Sequence, residues 1–254
     1  MLTALTRAVS RSLASCELTW LERREIEIEL AIEQHRQYEI ALAAMGVRVI
    51  SLTEQPDMPD AVFVEDPLVV VDEVAIVTRM GSQRRCAESD SLAEAIAAYR
   101  PVRRMRDPAT LEGGDVMRVG REVFVGLSGR TNAAGVQQLA SELEPFGYKV
   151  RPVDVRGCLH LKSACCPMGD GKILANTAWL DLTPLRDYEI VEVAHDERGA
   201  ANILRIGNTV LLPASFPHTR EILLREGLEV RTVDISELMK AEAAITCSSV
   251  IFEA

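Results

Sequence analysis

Residues Asp115–Gly126 read DVMRVGREVFVG, and this stretch decides the fold. Two apolar, alternating runs flank Gly120-Arg121-Glu122, a composition that suits a short hairpin loop between strands. Outward from it, Asn132–Phe146 carries apolar residues at helical spacing, and EPFGYKVRPVD at Glu144–Asp154 stops that helix at Gly147 and begins an alternating strand. Hairpin, helix and strand form one unit.

The unit recurs. Further hairpins are expected at Leu68–Arg79 (LVVVDEVAIVTR), Ala164–Asn176 (ACCPMGDGKILAN) and Asn202–Pro213 (NILRIGNTVLLP). Helices are expected over Ser89–Tyr99 and Pro217–Glu226, and the helix-to-strand passage repeats as ALAAMGVRVISL at Ala41–Leu52, AAYRPVRRM at Ala97–Met105 and REGLEVRTVD at Arg225–Asp234. The spacing is roughly 50 residues, in the range of repeat architectures. Four copies are readable, and the N-terminal helix with the C-terminal strand ITCSSVIF completes a fifth. A closed ring of such units removes sheet edges. The expected fold is therefore an α/β five-bladed propeller of ββαβ-type units around a central active site. Periodicity alone also admits a mixed α/β sandwich. No linker or composition shift interrupts residues 1–254, so a single domain is expected.

Composition narrows the partners. The net charge is -10, which disfavours nucleic acid and anionic membrane and slightly favours a small cationic substrate. No apolar run approaches the ~20 residues of a membrane span, and Arg7 and Arg11 interrupt the N-terminal segment, so a cytoplasmic location is expected. The six cysteines form no CxxC pair, which removes the usual zinc-knuckle and redox motifs.

Four histidines are present. His35 is expected at the surface of a charged helix, His195 in the exposed turn HDERG, and His218 near a helix start. His160 lies in GCLHLKSACC, an apolar, strand-like segment, where a satisfied core histidine is one account and a catalytic one the other. Cys247, in AAITCSSVIF, is read as a buried structural thiol or as a nucleophile activated by a base from another unit. Carboxylates cluster at Asp60, at Phe63-Val64-Glu65-Asp66-Pro67, where an apolar strand is expected to end, and at Leu111-Glu112-Gly113-Gly114-Asp115; loops of this kind converging on one centre would hold a cation. Gln83-Arg84-Arg85 and Ser128-Gly129-Arg130 offer guanidinium forks for a carboxylate, and Thr131 or Asn132 can cap the following helix.

Taken in order, FVEDP, AIVTR, QRR, LEGGD, GRTNAAG, LHLK, PASFPHTRE and the terminal TCSS resemble the dimethylarginine dimethylaminohydrolases of the guanidine-modifying, or pentein, superfamily. That resemblance implies the five-bladed fold and, with no cofactor and no metal, a hydrolysis of Nω-methylated arginine to citrulline through a thiouronium on the cysteine. It implies Cys247 as nucleophile, His160 as general acid/base and Glu112 as the carboxylate that orients it. Asp66 then holds the guanidinium, Asp60 and Glu65 line the site, Arg84 and Arg130 meet the amino-acid end, and Leu18 of a lid loop and Ala241 contribute backbone contacts. A homodimer is possible within the family pattern.

Two departures bear on specificity. Glu242-Ala243 stands where family members carry Asp-Gly, and the loop before Arg84 is one residue shorter than a frequent form, so Arg84 and Arg85 can exchange roles. Arginine deiminases carry His-x-Asp, whereas this chain reads His160-Leu161-Lys162. A dialkylated nitrogen has no N–H for that Asp to accept, so Lys162 favours a substituted guanidine. The alternatives are an arginine deiminase, a substituted-arginine iminohydrolase and a non-catalytic pentein-type binding protein.

Overall fold

A computed structural model describes residues 1–254. The chain divides into two compact units, Met1–Glu65 with Ile203–Ala254, and Asp66–Asn202, and its strands form five three-stranded sheets.

Three sheets belong to the second unit. In each, a hairpin supplies an antiparallel pair and the next strand adds in parallel: Leu68–Val70, Ala75–Val77 and Val102–Arg104; Val116–Val119, Glu122–Leu127 and Lys149–Asp154; Cys165–Gly169, Lys172–Ala175 and Glu189–Glu192. A parallel neighbour needs a long crossover, which the helices Ser89–Ile96 and Ala133–Leu143 provide. In the third sheet the crossover carries only short 3-10 turns at Thr177–Trp179 and Thr183–Leu185. Gly120 turns the central hairpin at φ +61, a backbone region where a side chain is strained.

The first unit holds the sheets Leu204–Ile206, Thr209–Pro213, Glu229–Val233 and Val250–Glu253, Leu2–Arg7, Arg48–Leu52. The strand Leu2–Arg7 is absent from the sequence reading. It lies at the centre of its sheet, so it is buried from Thr3 to Arg7 and shows no alternation. Its polar side chains reach outward for partners: Thr6 Oγ1 donates to Glu39 Oε1 at 2.6 Å and Arg7 Nη1 to the Thr53 carbonyl at 3.1 Å.

Two other expectations need correction. His35 is not a surface residue: with Ala31, Tyr38 and Leu42 it faces the core from the helix Ile28–Ala44 and is 3% exposed. The segment before Glu65 is a run of buried turns rather than a strand, and its apolar residues Ala61–Val64 are buried without alternation.

Asn132 caps the helix Ala133–Leu143, its Oδ1 accepting from the backbone N–H groups of Gly135 at 2.7 Å and Thr110 at 3.1 Å. Asn132→Ala is expected to lower the unfolding free energy by about 1 kcal/mol, measured from the denaturant midpoint.

Candidate active site

In the second unit, His160 is the extended residue that caps the short helix Leu161–Ala164; it does not lie within a strand. It is 4% exposed. Its Nε2 lies 2.8 Å from Glu112 Oε2 and its Nδ1 3.9 Å from Asp66 Oδ1. Glu112 is fully buried, and its other oxygen accepts from the backbone N–H groups of Gly81 and Ser82 at 3.1 and 3.3 Å, with Arg130 NH1 at 3.5 Å. The carboxylate is thus fixed in place to orient the imidazole.

Arg85 is buried, its fork spread over Glu88 at 2.9–3.1 Å and Asp66 Oδ2 at 2.8 Å. Arg84 is exposed. Of the two adjacent guanidinium groups, Arg84 is the accessible one and Arg85 anchors Asp66. The second oxygen of Asp66 is buried and has no hydrogen-bond partner.

Asp115 ties these pieces together. Its Oδ1 accepts the Leu161 N–H at 2.8 Å, and its Oδ2 accepts from Ser128 Oγ at 2.6 Å and Thr131 Oγ1 at 2.7 Å. Thr131 Oγ1 in turn accepts the Glu112 N–H at 3.2 Å, and Ser128 Oγ accepts the Arg130 N–H at 3.0 Å. One carboxylate therefore positions the backbone beside His160, the backbone of Glu112 and the Arg130 loop. The sequence shows Asp115 only as an acid at a double-glycine turn; Ser128 and Thr131 in SGRT were the signal for its partners.

Burial disfavours the imidazolium of His160, but Asp66, the Glu112 hydrogen bond and Asp115 outweigh it and raise the pKa to about 9. For Glu112, burial acts upward, yet the hydrogen bond and charge of His160 hold the group below its usual range. Asp66 is likewise held low against burial, by His160 and Arg85. Burial pushes Asp115 upward. The signs set a window. The raised His160 stabilises the fold fully below its unfolded value of 6.5, and that contribution is lost as pH rises through about 9. Glu112 and Asp66 contribute above the ordinary carboxylate range and lose their contribution in acid. A urea-denaturation series against pH is expected to show a plateau from above the carboxylate range up to the unfolded histidine value of 6.5, with stability falling from there through about 9 as the His160 contribution is lost.

Asp66, Glu112 and His160 each present one possible ligand atom, all within 4.8 Å of one another. They already engage one another and Arg85.

In the first unit, Cys247 is half-buried in a turn ahead of the strand Val250–Glu253. Its N–H donates to the Ala244 carbonyl at 3.3 Å, and the Ala244 N–H donates back to Sγ at 3.3 Å, a contact that favours the thiolate. The Glu65 N–H donates to the Cys247 carbonyl at 3.2 Å, and Thr246 Oγ1 donates to Glu65 Oε2 at 2.8 Å. Asp60 accepts the Glu17 N–H at 3.1 Å, next to half-buried Leu18, and Ala241 is buried nearby in the chain. Cys247, Glu65, Asp60, Leu18 and Ala241 thus belong to the first unit, and Asp66, Arg84, Glu112, Arg130 and His160 to the second.

Comparison with known proteins places this fold in a class. The N-terminal domain of an arginine dihydrolase from the ornithine-ammonia cycle in cyanobacteria, bound to product, superposes with a TM-score of 0.89 over 98% of this chain and 97% of that one, at 18% identity, which carries the fold alone. Dimethylarginine dimethylaminohydrolase from Pseudomonas aeruginosa, as a cysteine-to-serine mutant complexed with citrulline, superposes with a TM-score of 0.93 over 98% of each chain, at 33% identity. The fold is the expected pentein type, the α/β propeller whose blades are the five three-stranded sheets.

The model of the family "N,N dimethylarginine dimethylhydrolase, eukaryotic" matches residues 14–170. The N(G),N(G)-dimethylarginine dimethylaminohydrolase of Streptomyces coelicolor is 41% identical over 248 residues, 97% of this chain and 95% of the relative. The chain belongs to the dimethylarginine dimethylaminohydrolase family.

Proposed function

We propose that the chain hydrolyses Nω,Nω-dimethylarginine to citrulline and dimethylamine. The observation that carries the reading is the buried set His160, Glu112 and Asp66, with an Asp66 oxygen that has no hydrogen-bond partner. An unpaired buried acceptor is costly, and a guanidinium N–H satisfies it.

The thiolate of Cys247 attacks the guanidinium carbon, whose bonded cation favours loss of the thiol proton. The bond to dimethylamine breaks, and the departing nitrogen takes the proton of His160, which a pKa of about 9 keeps charged at neutral pH. The neutral imidazole then takes a proton from water, the oxygen adds to the thiouronium carbon, and the carbon–sulfur bond breaks to restore the thiolate and release the ureido product, whose oxygen gives its remaining proton to solvent. Glu112 orients His160 throughout. Asp66 holds the guanidinium nitrogens, Asp60 and Glu65 line the site, Arg84 takes the substrate carboxylate, Arg130 makes a second polar contact to the amino-acid end, and Leu18 and Ala241 supply backbone contacts.

Lys162 favours a substituted guanidine over arginine itself. Its positive charge adds to the field that lowers Asp66, and no Asp stands at its position to accept from an unsubstituted nitrogen. The reading takes residues 1–254 as one catalytic domain working in the cytoplasm without a cofactor. No helix is long and apolar enough to cross a membrane. Citrulline release from a panel of methylated, nitro- and unmodified arginines tests the assignment. Faster turnover of arginine than of dimethylarginine refutes the substrate and leaves the chemistry standing.

A further inference from the structure

The segment Cys16–Glu27 contains neither helix nor strand. Between Thr19 and Glu27 only Ile26 is buried, and Trp20 and Leu21 are 57% and 51% exposed. Apolar packing therefore does little to hold it in place. What holds it is a set of backbone N–H groups captured by side-chain carboxylates. The Glu17 N–H goes to Asp60 at 3.1 Å and the Glu27 N–H to Glu237 at 2.9 Å. Between these ends, the consecutive N–H groups of Thr19, Trp20 and Leu21 all converge on Glu242, at 3.0 Å from Thr19 and 2.6 Å from Leu21. Arg23 closes the loop on itself through the carbonyls of Ala14 and Cys16, each at 2.6 Å.

Glu242 is itself unusual. It sits at φ +60, one of two non-glycine residues in the left-handed region, where a side chain is disfavoured. Its N–H donates to the Met239 carbonyl, and the chain continues through Ala243 to Ala244, whose N–H donates to Cys247 Sγ. The strained residue thus joins two segments: the loop that carries Leu18 and the turn that runs from Ala241 to Cys247.

We infer that Glu242 is a positioning residue that latches the Cys16–Glu27 segment to the Ala241–Cys247 turn and so sets where the Leu18 backbone meets substrate. This rests on the proposed function for the part played by Leu18, but the latch itself does not. Glutamate serves because an ionised carboxylate accepts several N–H groups at once, as the backbone of a tight turn presents them. The charge does for the segment what a packed face does for a helix.

The test pairs hydrogen exchange with steady-state kinetics on the full chain, comparing the native protein with Glu242→Gly, Glu242→Ala and Glu242→Gln. Glycine accommodates the positive φ, so that variant removes the latch without backbone strain and folds whatever the alanine variant does. In the glycine and alanine variants the amides of Thr19, Trp20 and Leu21 are expected to exchange at least roughly tenfold faster, while those of the helix Ile28–Ala44 keep their protection. The KM for dimethylarginine is expected to rise roughly tenfold, with kcat falling by a smaller factor. Glutamine, which keeps the length and one oxygen, is expected to fall between. Unchanged exchange at the three amides overturns the latch; faster exchange with an unmoved KM overturns its role in positioning. A chain that does not turn over dimethylarginine at all defeats the proposed function, and the exchange result still decides whether Glu242 fastens the segment.

Discussion

Cys247→Ser is expected to lower citrulline release from dimethylarginine by about 10⁴-fold or more, the scale seen when a nucleophile is removed from a covalent enzyme. Serine is nearly isosteric, and the turn is held by backbone bonds that the substitution leaves alone: Glu65 N–H to the residue 247 carbonyl and residue 247 N–H to Ala244. The thermal midpoint is therefore expected to stay within a degree or two, since the change in stability is about 0.5 kcal/mol or less. The loss is chemical. A hydroxyl does not ionise near neutrality as a thiol does, and the Ala244 N–H at 3.3 Å from Sγ cannot make up that difference. A serine variant that releases citrulline at more than a few per cent of the native rate removes Cys247 from the mechanism, whatever becomes of the fold.

Gly114→Ala is expected to lower kcat by about 10²-fold through a group that touches no substrate. A Cβ at position 114 would stand 2.5 Å from His160 Nδ1 and 2.9 Å from Asp66 Oδ1. Neither neighbour yields freely. His160 is held by Glu112 at 2.8 Å, Asp66 by Arg85 at 2.8 Å, and the Gly113 N–H donates to the Asp66 carbonyl at 2.8 Å. The imidazole must then shift by a large fraction of an ångström, enough to spoil proton transfer, and the overpacking costs about 1–3 kcal/mol. Gly129 is the comparison: nothing lies within 4 Å of its would-be Cβ, and Gly129→Ala should leave stability within about 0.5 kcal/mol. Unfolding curves and kinetics of the two variants side by side check the account. A Gly114→Ala protein with native kcat would mean that His160 has room the structure does not show.

The hairpins were legible because each carries its turn in the chain. Val116–Val119 and Glu122–Leu127 flank Gly120, and Leu204–Ile206 and Thr209–Pro213 flank Gly207; both glycines have positive φ. Alternation and turn chemistry are local signals, and they survive folding. The strand Leu2–Arg7 was not legible, because its partners are Arg48–Leu52 and Val250–Glu253, far off in the chain. A strand with both neighbours in place buries both faces and loses its period. His35 was misplaced for a related reason: the helix Ile28–Ala44 is charged enough to look solvated on every side, while its inner stripe is narrow.

Residue types alone marked candidate reacting groups, a cysteine, a histidine and carboxylates on glycine-rich or proline-flanked turns, whose roles came from the ordered resemblance. They also determined the repeating hairpin–helix–strand unit, whose signals lie within a dozen or so residues of one another. Only the tertiary structure decided how those groups are tuned. That Arg85 is spent on Glu88 and Asp66, leaving Arg84 accessible, depends on which of two adjacent guanidinium groups is buried. That His160 carries its proton to about pH 9 depends on three acids drawn from two separate turns, Asp66 from one and Glu112 and Asp115 from the other. That Glu242 gathers three backbone N–H groups depends on a segment more than two hundred residues away. Electrostatic and hydrogen-bond energies follow distance in space, and spacing along the chain does not record it.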